Sequence, residues 1–337
     1  MTLKTHIEKM LPAIESELQR LVARLDEPTN NPFHEMLTYH MGWSGEGSNS
    51  ETTGKRIRPL LVLLTCAACG EDWHRALPVA ASIELIHNFS LAHDDIQDGS
   101  ELRRGRLTVW KKWGMAQAIN VGDALFILAH LALLEARDTY PPEVVLRVGE
   151  IVDEACLALS NGQFLDISYE KRIDLSTEDY WRMVSGKTAA LLSACTQTGA
   201  VLGGVDEPAR ENYRNFGYYL GMAFQVQDDY LGIWGNSSST GKSTESDLVA
   251  GKKTLPVLYG LSRNGPFARR WAEGPIQAEE AGPLSEELAR EGAKLHTQEI
   301  VDQMTDLALH TLRAADPRGS AGNTLFELAS MLLNRQA

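Results

Sequence analysis

Residues Ile83–Asp98 read IELIHNFSLAHDDIQD. Apolar residues return at helical spacing from Ile83 through Ile96, and no glycine or proline interrupts before Gly99. The stretch therefore predicts a helix that is apolar on most sides, as expected of an element at the centre of a bundle. Its end carries Asp94, Asp95 and Asp98. Asp94 and Asp98 are four residues apart, so their carboxylates stack on one face about 6 Å apart along the axis, while Asp95 points about 100° away. Like charges at this spacing oppose the helix, and charge beside an apolar run costs more when nothing matches it. A divalent cation resolves the conflict, and hard oxygen ligands with room left for water and phosphate suit Mg²⁺. Arg103, Arg104 and Arg106 follow within a few residues, where planar guanidinium forks can hold phosphate oxygens directly.

The rest of the chain agrees with a helical reading. Of 337 residues 43% are hydrophobic, enough for a large core. Helical patterns cover about 3–26, 56–70, 76–98, 114–138, 142–170, 177–203, 208–235, 252–263, 284–315 and 321–335, while 29–53 and 264–283 read as loops. Alternation long enough for a sheet is missing. The expectation is one all-α domain, residues 1–337: an N-terminal helix and flexible loop over 1–53, then a helical bundle around a central cavity over 54–337.

A net charge of −13 argues against nucleic acid as the main partner. Cys66 and Cys69 form a C-x-x-C inside the apolar run LLVLLTCAAC, where small core residues explain them better than a redox or zinc motif. The most apolar stretch, AINVGDALFILAHLALLEA, contains Asp123 and His130 and reads as a core helix rather than an integral membrane segment. A cytoplasmic location is expected.

A second acidic pair, Asp228-Asp229, ends a second apolar helix in MAFQVQDDYLGIWG. Two such ends suggest carboxylates facing each other across one chamber, with metal between them and a diphosphate group. Cations lie beside these motifs: Lys55, Arg56 and Arg58 in GKRIRP, Arg103 and Arg104, Lys187, and Lys242, Lys252 and Lys253. A phosphate-loop likeness around Gly235 and Gly241-Lys242-Ser243 is rejected, because five residues separate the glycines and a helix precedes them.

The ordered motifs GKRIRP, HDDIQDGSELRRGRLT, GKTAALL, FQVQDDYLG and GKSTESDLVAGKKTLP resemble those of the trans-prenyl diphosphate synthases, the polyprenyl synthetases. The similarity runs from about Gly54 to the C-terminus. It implies an all-α isoprenoid synthase fold, a homodimer, isoprenoid diphosphate substrates and a Mg²⁺ cluster of three ions. It further implies head-to-tail condensation of isopentenyl diphosphate with an allylic diphosphate.

Carried over by motif, Asp94, Asp98 and Asp228 ligate metal, with Asp95 and Asp229 supporting them. Arg103, Lys187, Lys242 and Lys252 hold the allylic diphosphate. Lys55, Arg58, His87 and Arg104 hold isopentenyl diphosphate. Lys187, Thr188 and Gln225 serve the reacting centre, and Gln163 and Asp166 match a further position near it. His93 reads as structural.

One departure stands out. The second motif ends in Gly232 where the family pattern has a third aspartate. The change also admits a non-catalytic subunit of a two-component synthase. A class I terpene cyclase is disfavoured because its second metal motif is missing and GKRIRP and RRGR would have no role in it. For product length, Phe89 lies five residues before Asp94, about 7.5 Å along the axis, and Ser90 four before. In the resembled family an aromatic at the fifth position marks synthases that stop at geranylgeranyl diphosphate. That product is expected here, with farnesyl diphosphate the alternative.

Overall fold

A computed structural model of the chain describes residues 2–27, 29, 31–49, 52–235 and 246–333. Helices dominate. In chain order they are α1 (Leu3–Val22), α2 (Asn31–His40), α3 (Ile57–Ala68), α4 (Leu77–Gln97), α5 (Val109–Trp113), α6 (Met115–Glu135), α7 (Pro142–Tyr169) and α8 (Thr177–Val184). They continue as α9 (Ala190–Leu202), α10 (Glu207–Trp234), α11 (Ser246–Val249), α12 (Leu255–Ser262), α13 (Pro266–Ala272), α14 (Ala278–Arg290), α15 (Ala293–Ala314) and α16 (Gly319–Leu333). Among the described residues the only strands are β1 (Leu102–Arg103) and β2 (Arg106–Leu107), paired antiparallel.

The contacts divide the chain into two compact units. One comprises Met1–Cys156, Ala194–Glu211 and Asp316–Leu325, the other Leu157–Ser193, Asn212–Ala315 and Phe326–Ala337.

The first unit is built on α4, the helix of the opening stretch. Val79 through Ile86 are all buried, the polar Ser82 and Glu84 included. α1, α3 and α6 pack against it. The crossing with α6 is close because residue 122 is glycine: a Cβ there would sit 2.2 Å from His93 Nε2. A buried charge network ties three helices together. Arg56 is 2% exposed. It donates through Nε to Glu15 (2.7 Å) on α1 and through Nη1 to Glu84 (2.9 Å) on α4. Its Nη2 reaches the Met41 carbonyl at 3.3 Å. Arg56, which the sequence places with the site's cations, is instead an internal tie, engaged by two carboxylates and a backbone carbonyl.

The second unit has two apolar clusters. Tyr180, Val184, Met222, Val226, Leu255, Leu258 and Val301 form one, joining α8, α10, α12 and α15. Ile233, Leu248, Val257, Phe267, Ile276 and Leu288 form the other.

Three sequence expectations need correction. The 29–53 segment contains a helix, α2, whose Met36, Leu37 and Tyr39 are buried; its short apolar face was hidden between polar runs. The 264–283 segment contains α13, anchored by fully buried Phe267, and the start of α14. The Gly282-Pro283 pair that reads as a turn lies inside α14, which begins with a Gln277–Glu280 capping box. The long helix expected over 284–315 breaks at Gly292, where φ is +95°.

α6 also differs from a buried core helix. With the turn after it, it is long and apolar enough to cross a membrane by length and composition. One face packs on α4, yet Ile127 is 56% exposed, Leu131 38% and Leu134 50%.

Replacing Arg56 with methionine should leave Glu84 buried without its cation, and breaking a buried pair in this way costs about 3–5 kcal/mol. Denaturant unfolding checks this, and a loss below about 1 kcal/mol would contradict the structural role.

Candidate active site

The first acidic motif closes α4. The Asp98 N–H donates to the Asp94 carbonyl (2.8 Å), and Gly99 then takes φ +61°, the left-handed residue that stops the helix. Asp95 is 2% exposed and Asp94 half-buried, while Asp98 is exposed. The chain turns into the β1–β2 hairpin, whose two central residues, Arg104 (φ +51°) and Gly105 (φ +75°), are both left-handed as a tight hairpin turn requires. The hairpin returns Arg103 to Asp95, on which it closes a fork: Nε and Nη2 each lie 2.8 Å from Oδ1. Burial raises the Asp95 carboxyl above its ordinary range, and Arg103 opposes that. Asp95 is thus an anchor for the motif, and Arg103 is held against it.

A cationic patch lies in the same unit. Arg104 donates to the Thr52 carbonyl (2.7 Å) and lies against Gly54. The Arg58 Nε is buried with no hydrogen-bond partner, and desolvation lowers the pKa of its guanidinium. Desolvation first, then Arg58, Arg104, Arg103 and Arg56, hold His87 well below the usual imidazole range, so it is neutral. Lys55 is exposed at the edge. A guanidinium with a buried, unpartnered Nε among further arginines fits an anion, and His87 can donate one N–H to it. Ser90 turns its hydroxyl back onto the His87 carbonyl (2.8 Å). Phe89 meets His93, whose Nε2 lies 3.3 Å from the Ile119 carbonyl, in keeping with a structural His93.

The second unit carries the other acidic motif. Asp229 on α10 is 4% exposed. It accepts from Tyr180 Oη (2.7 Å), Gln225 Nε2 (2.9 Å) and the Leu255 N–H (3.2 Å). Burial pushes its carboxyl up to about 7 against these three bonds, and Asp247 adds to the rise. Gln225 in turn accepts from Thr188 Oγ1 (2.8 Å). The amide is fixed by one bond on each side, and the single Thr188 proton is committed, so the hydroxyl can otherwise only accept.

Thr188 and Lys187 sit on a wide π-helical turn, Ser185–Ala189, between α8 and α9. Two glycines allow α7 to press on that turn. A Cβ on Gly162 would be 2.1 Å from the Lys187 nitrogen, and one on Gly186 would be 2.6 Å from the Ala158 carbonyl oxygen. Lys187 pairs with Asp166. Gln163 is 7% exposed, and neither atom of its amide has a hydrogen-bond partner.

Gly232 explains itself here. A Cβ at that position would lie 2.0 Å from Asp247 Oδ2. The carboxylate missing from the motif is replaced in space by the buried Asp247, with Lys252 Nζ 3.7 Å from its other oxygen. The sequence signal for Asp247 is an acid five residues before the Lys252-Lys253 pair in SDLVAGKK. Lys253 proves structural, since its Nζ donates to the Tyr169 (2.8 Å) and Glu170 (2.7 Å) carbonyls at the end of α7. Lys242 lies outside the described residues.

Among the described residues no three histidines, cysteines or carboxylates converge on one point as a closed metal cage. The half-buried Asp94 and exposed Asp98, one helical turn apart, offer hard carboxylate oxygens of the kind magnesium takes while completing its shell with water and phosphate.

The polyprenyl synthetase family model matches residues 47–282. The chain belongs to the polyprenyl synthetase family. A (2E,6E)-farnesyl diphosphate synthase of Mycobacterium bovis is 43% identical over 261 residues, 77% of this chain and 70% of that protein. A geranylgeranyl diphosphate synthase of Mycobacterium tuberculosis is 38% identical over 265 residues, 78% of this chain and 75% of that one. A solved polyprenyl synthetase from Streptomyces coelicolor A3(2) superposes with a TM-score of 0.89 at 36% identity, covering 98% of this chain and 99% of its own. This polyprenyl synthetase is a prenyltransferase with the all-α isoprenoid synthase fold.

The two tight glycines give a contrast in stability. Helical Gly→Ala normally gains about 1 kcal/mol. Gly162→Ala should instead lose about 1–3 kcal/mol, because its new methyl meets backbone that cannot yield. Gly232→Ala meets only the end of the Asp247 side chain and should cost less. Parallel denaturant curves decide the order; an equal or reversed order contradicts it.

Proposed function

We propose that this polyprenyl synthetase condenses isopentenyl diphosphate head to tail with an allylic diphosphate, giving geranylgeranyl diphosphate. The observation that carries this reading is the shared build of the two acidic motifs, each with one buried, bonded aspartate beside a more accessible one. Asp94 and Asp98 from the first motif and Asp228 from the second would be the ligands of a cluster of three magnesium ions. Magnesium, when bound, supplies charge neutralisation for the leaving diphosphate. The family match spans residues of both compact units, which supports treating the chain as one synthase domain.

The chain's own groups then divide the work. Arg103, Lys187, Lys242 and Lys252 hold the allylic diphosphate and stabilise the negative charge that grows as its C–O bond breaks. Diphosphate leaves with the electron pair, and the hydroxyl oxygen of Thr188, with Gln225 behind it, stabilises the allylic cation. Lys55, Arg58, His87 and Arg104 hold isopentenyl diphosphate so that its double bond attacks that carbon. A proton is then lost, and the released diphosphate accepts it. Asp247 stands in for the third aspartate of the second motif.

Farnesyl diphosphate is the second reading, favoured by the name of the 43%-identical relative. Purified protein given Mg²⁺, isopentenyl diphosphate and dimethylallyl, geranyl or farnesyl diphosphate should make longer linear diphosphates, chiefly the C20 product. Asp94→Asn should lower kcat by about 10²–10³. Cyclic hydrocarbons, or no turnover without a partner chain, would contradict the proposal.

A homodimer is part of the same reading. A groove of about 820 Å³ on the outer face of α6 is lined by Arg24, Phe33, Asp123, Ile127 and Leu131, beside the exposed Leu134. An apolar face of this kind fits a second copy of the chain. Sedimentation should give twice the chain mass, and Ile127→Lys with Leu131→Lys should give the single chain; an unchanged mass contradicts this interface.

A further inference from the structure

We infer that Arg106 is a positioning residue for isopentenyl diphosphate: it fastens the β1–β2 hairpin to the end of α2 and the segment after it, and so holds Arg104 in place for the diphosphate. The inference deepens the proposed function and rests on its reading that Arg104 holds that substrate. Arg106 is the one arginine of RRGR that takes no part in binding diphosphate under that reading.

The hairpin is too short to hold its own tip. It pairs Leu102 with Leu107 and Arg103 with Arg106, and Arg104 and Gly105 form the turn. A two-stranded ribbon is marginally stable at best in water. Arg106 supplies the missing hold. Its Nε donates to the Glu46 carbonyl (3.1 Å), Nη1 to the Tyr39 carbonyl (3.3 Å) and Nη2 to the Ser44 carbonyl (2.6 Å). Its guanidinium also lies 3.9 Å from the centre of the Tyr39 ring. Tyr39 Oη in turn donates to the carbonyl of Leu107, the next residue of β2 (2.8 Å). The planar five-donor fork of a guanidinium suits three carbonyls in a way that the point charge of a lysine does not. Gly45 lets the segment come this close: a Cβ there would lie 2.6 Å from Tyr39 Cδ2 and 3.0 Å from Arg106 Nη2.

What this clamp orients is Arg104. Its exposed side chain donates from Nη1 to the Thr52 carbonyl (2.7 Å). Thr52 is buried, with its N–H donating to Asn49 Oδ1 (3.1 Å) and its hydroxyl to the Asn49 carbonyl (2.8 Å). The guanidinium of Arg104 lies in the gap left by Gly54, where a Cβ would be 2.6 Å from Nη2. One N–H of five is committed to Thr52, which leaves donors for phosphate oxygens. The hairpin carries Arg104, the segment after α2 carries Thr52, and Arg106 fixes one to the other.

Steady-state kinetics of the full-length enzyme with Mg²⁺, isopentenyl diphosphate and geranyl diphosphate test this. Arg106→Met should raise KM for isopentenyl diphosphate about tenfold, the effect of losing one hydrogen bond to a charged group. Its kcat at saturation and its KM for geranyl diphosphate should stay within about threefold of wild type. KM for Arg106→Lys should fall between those of wild type and Arg106→Met. Arg104→Met should raise the same KM, and adding Arg106→Met to it should raise it little further, because Arg106 acts through Arg104. Gly45→Ala loosens the clamp from the other side; it should reproduce the effect, which keeps the test decisive where Arg106→Met is too unstable to assay. A lower melting temperature with both KM values unchanged, or a full further rise in the double variant, would overturn the role of Arg106 alone. An unchanged KM in Arg104→Met would overturn the substrate assignment on which that role rests. Absence of any condensation by the wild type would overturn the proposed function itself.

Discussion

In both acidic motifs the second aspartate of the pair is buried, and the protein, not solvent, satisfies it. Asp95 is gripped by Arg103, and Asp229 by Tyr180, Gln225 and the Leu255 N–H. A buried carboxylate is costly without such partners, so each bond set is fixed, and each fixes the helix end that carries the neighbouring Asp94 or Asp228. Much of the remaining site follows from these two anchors. The hairpin exists to return Arg103. The Thr188–Gln225–Asp229 chain orients the polar atoms beside the second motif. The glycine contact at Gly162 lets α7 approach the turn that bears Lys187 and Thr188.

The cationic side of the site follows the opposite logic. Arg56 is neutralised internally by two glutamates and serves the fold, whereas Arg58, two residues later, is half-buried with a buried, unsatisfied Nε. The same short motif thus supplies a structural tie and a guanidinium with a donor to spare, which the proposed function gives to isopentenyl diphosphate. His87, kept neutral by desolvation and by the arginines around it, adds a donor without adding to their mutual repulsion.

Much of this was legible in the sequence because it depends on local spacing. The apolar run before Asp94, the two acidic pairs and the arginines after the first pair predicted the helices, their ends and the character of the site. What the sequence hid depends on partners distant along the chain. The burial of Arg56 requires Glu15 and Glu84, and Lys253 requires the end of α7. The place of Asp247 beside Gly232, fifteen positions earlier in the chain, is a tertiary contact across a glycine gap. The helices α2 and α13 were missed because their apolar faces are short and framed by turn-forming residues, and the outer face of α6 because its composition alone reads as core.

The most direct test is diffraction from crystals grown with Mn²⁺ in place of Mg²⁺ and with inorganic diphosphate, using the anomalous signal of the metal. The account predicts ions bridging the diphosphate to Asp94 and Asp98 on one side and to Asp228 on the other, with Asp95 and Asp229 keeping their protein bonds. Ions bound at only one of the two motifs, or ligated by Asp95 and Asp229 in their place, would contradict it.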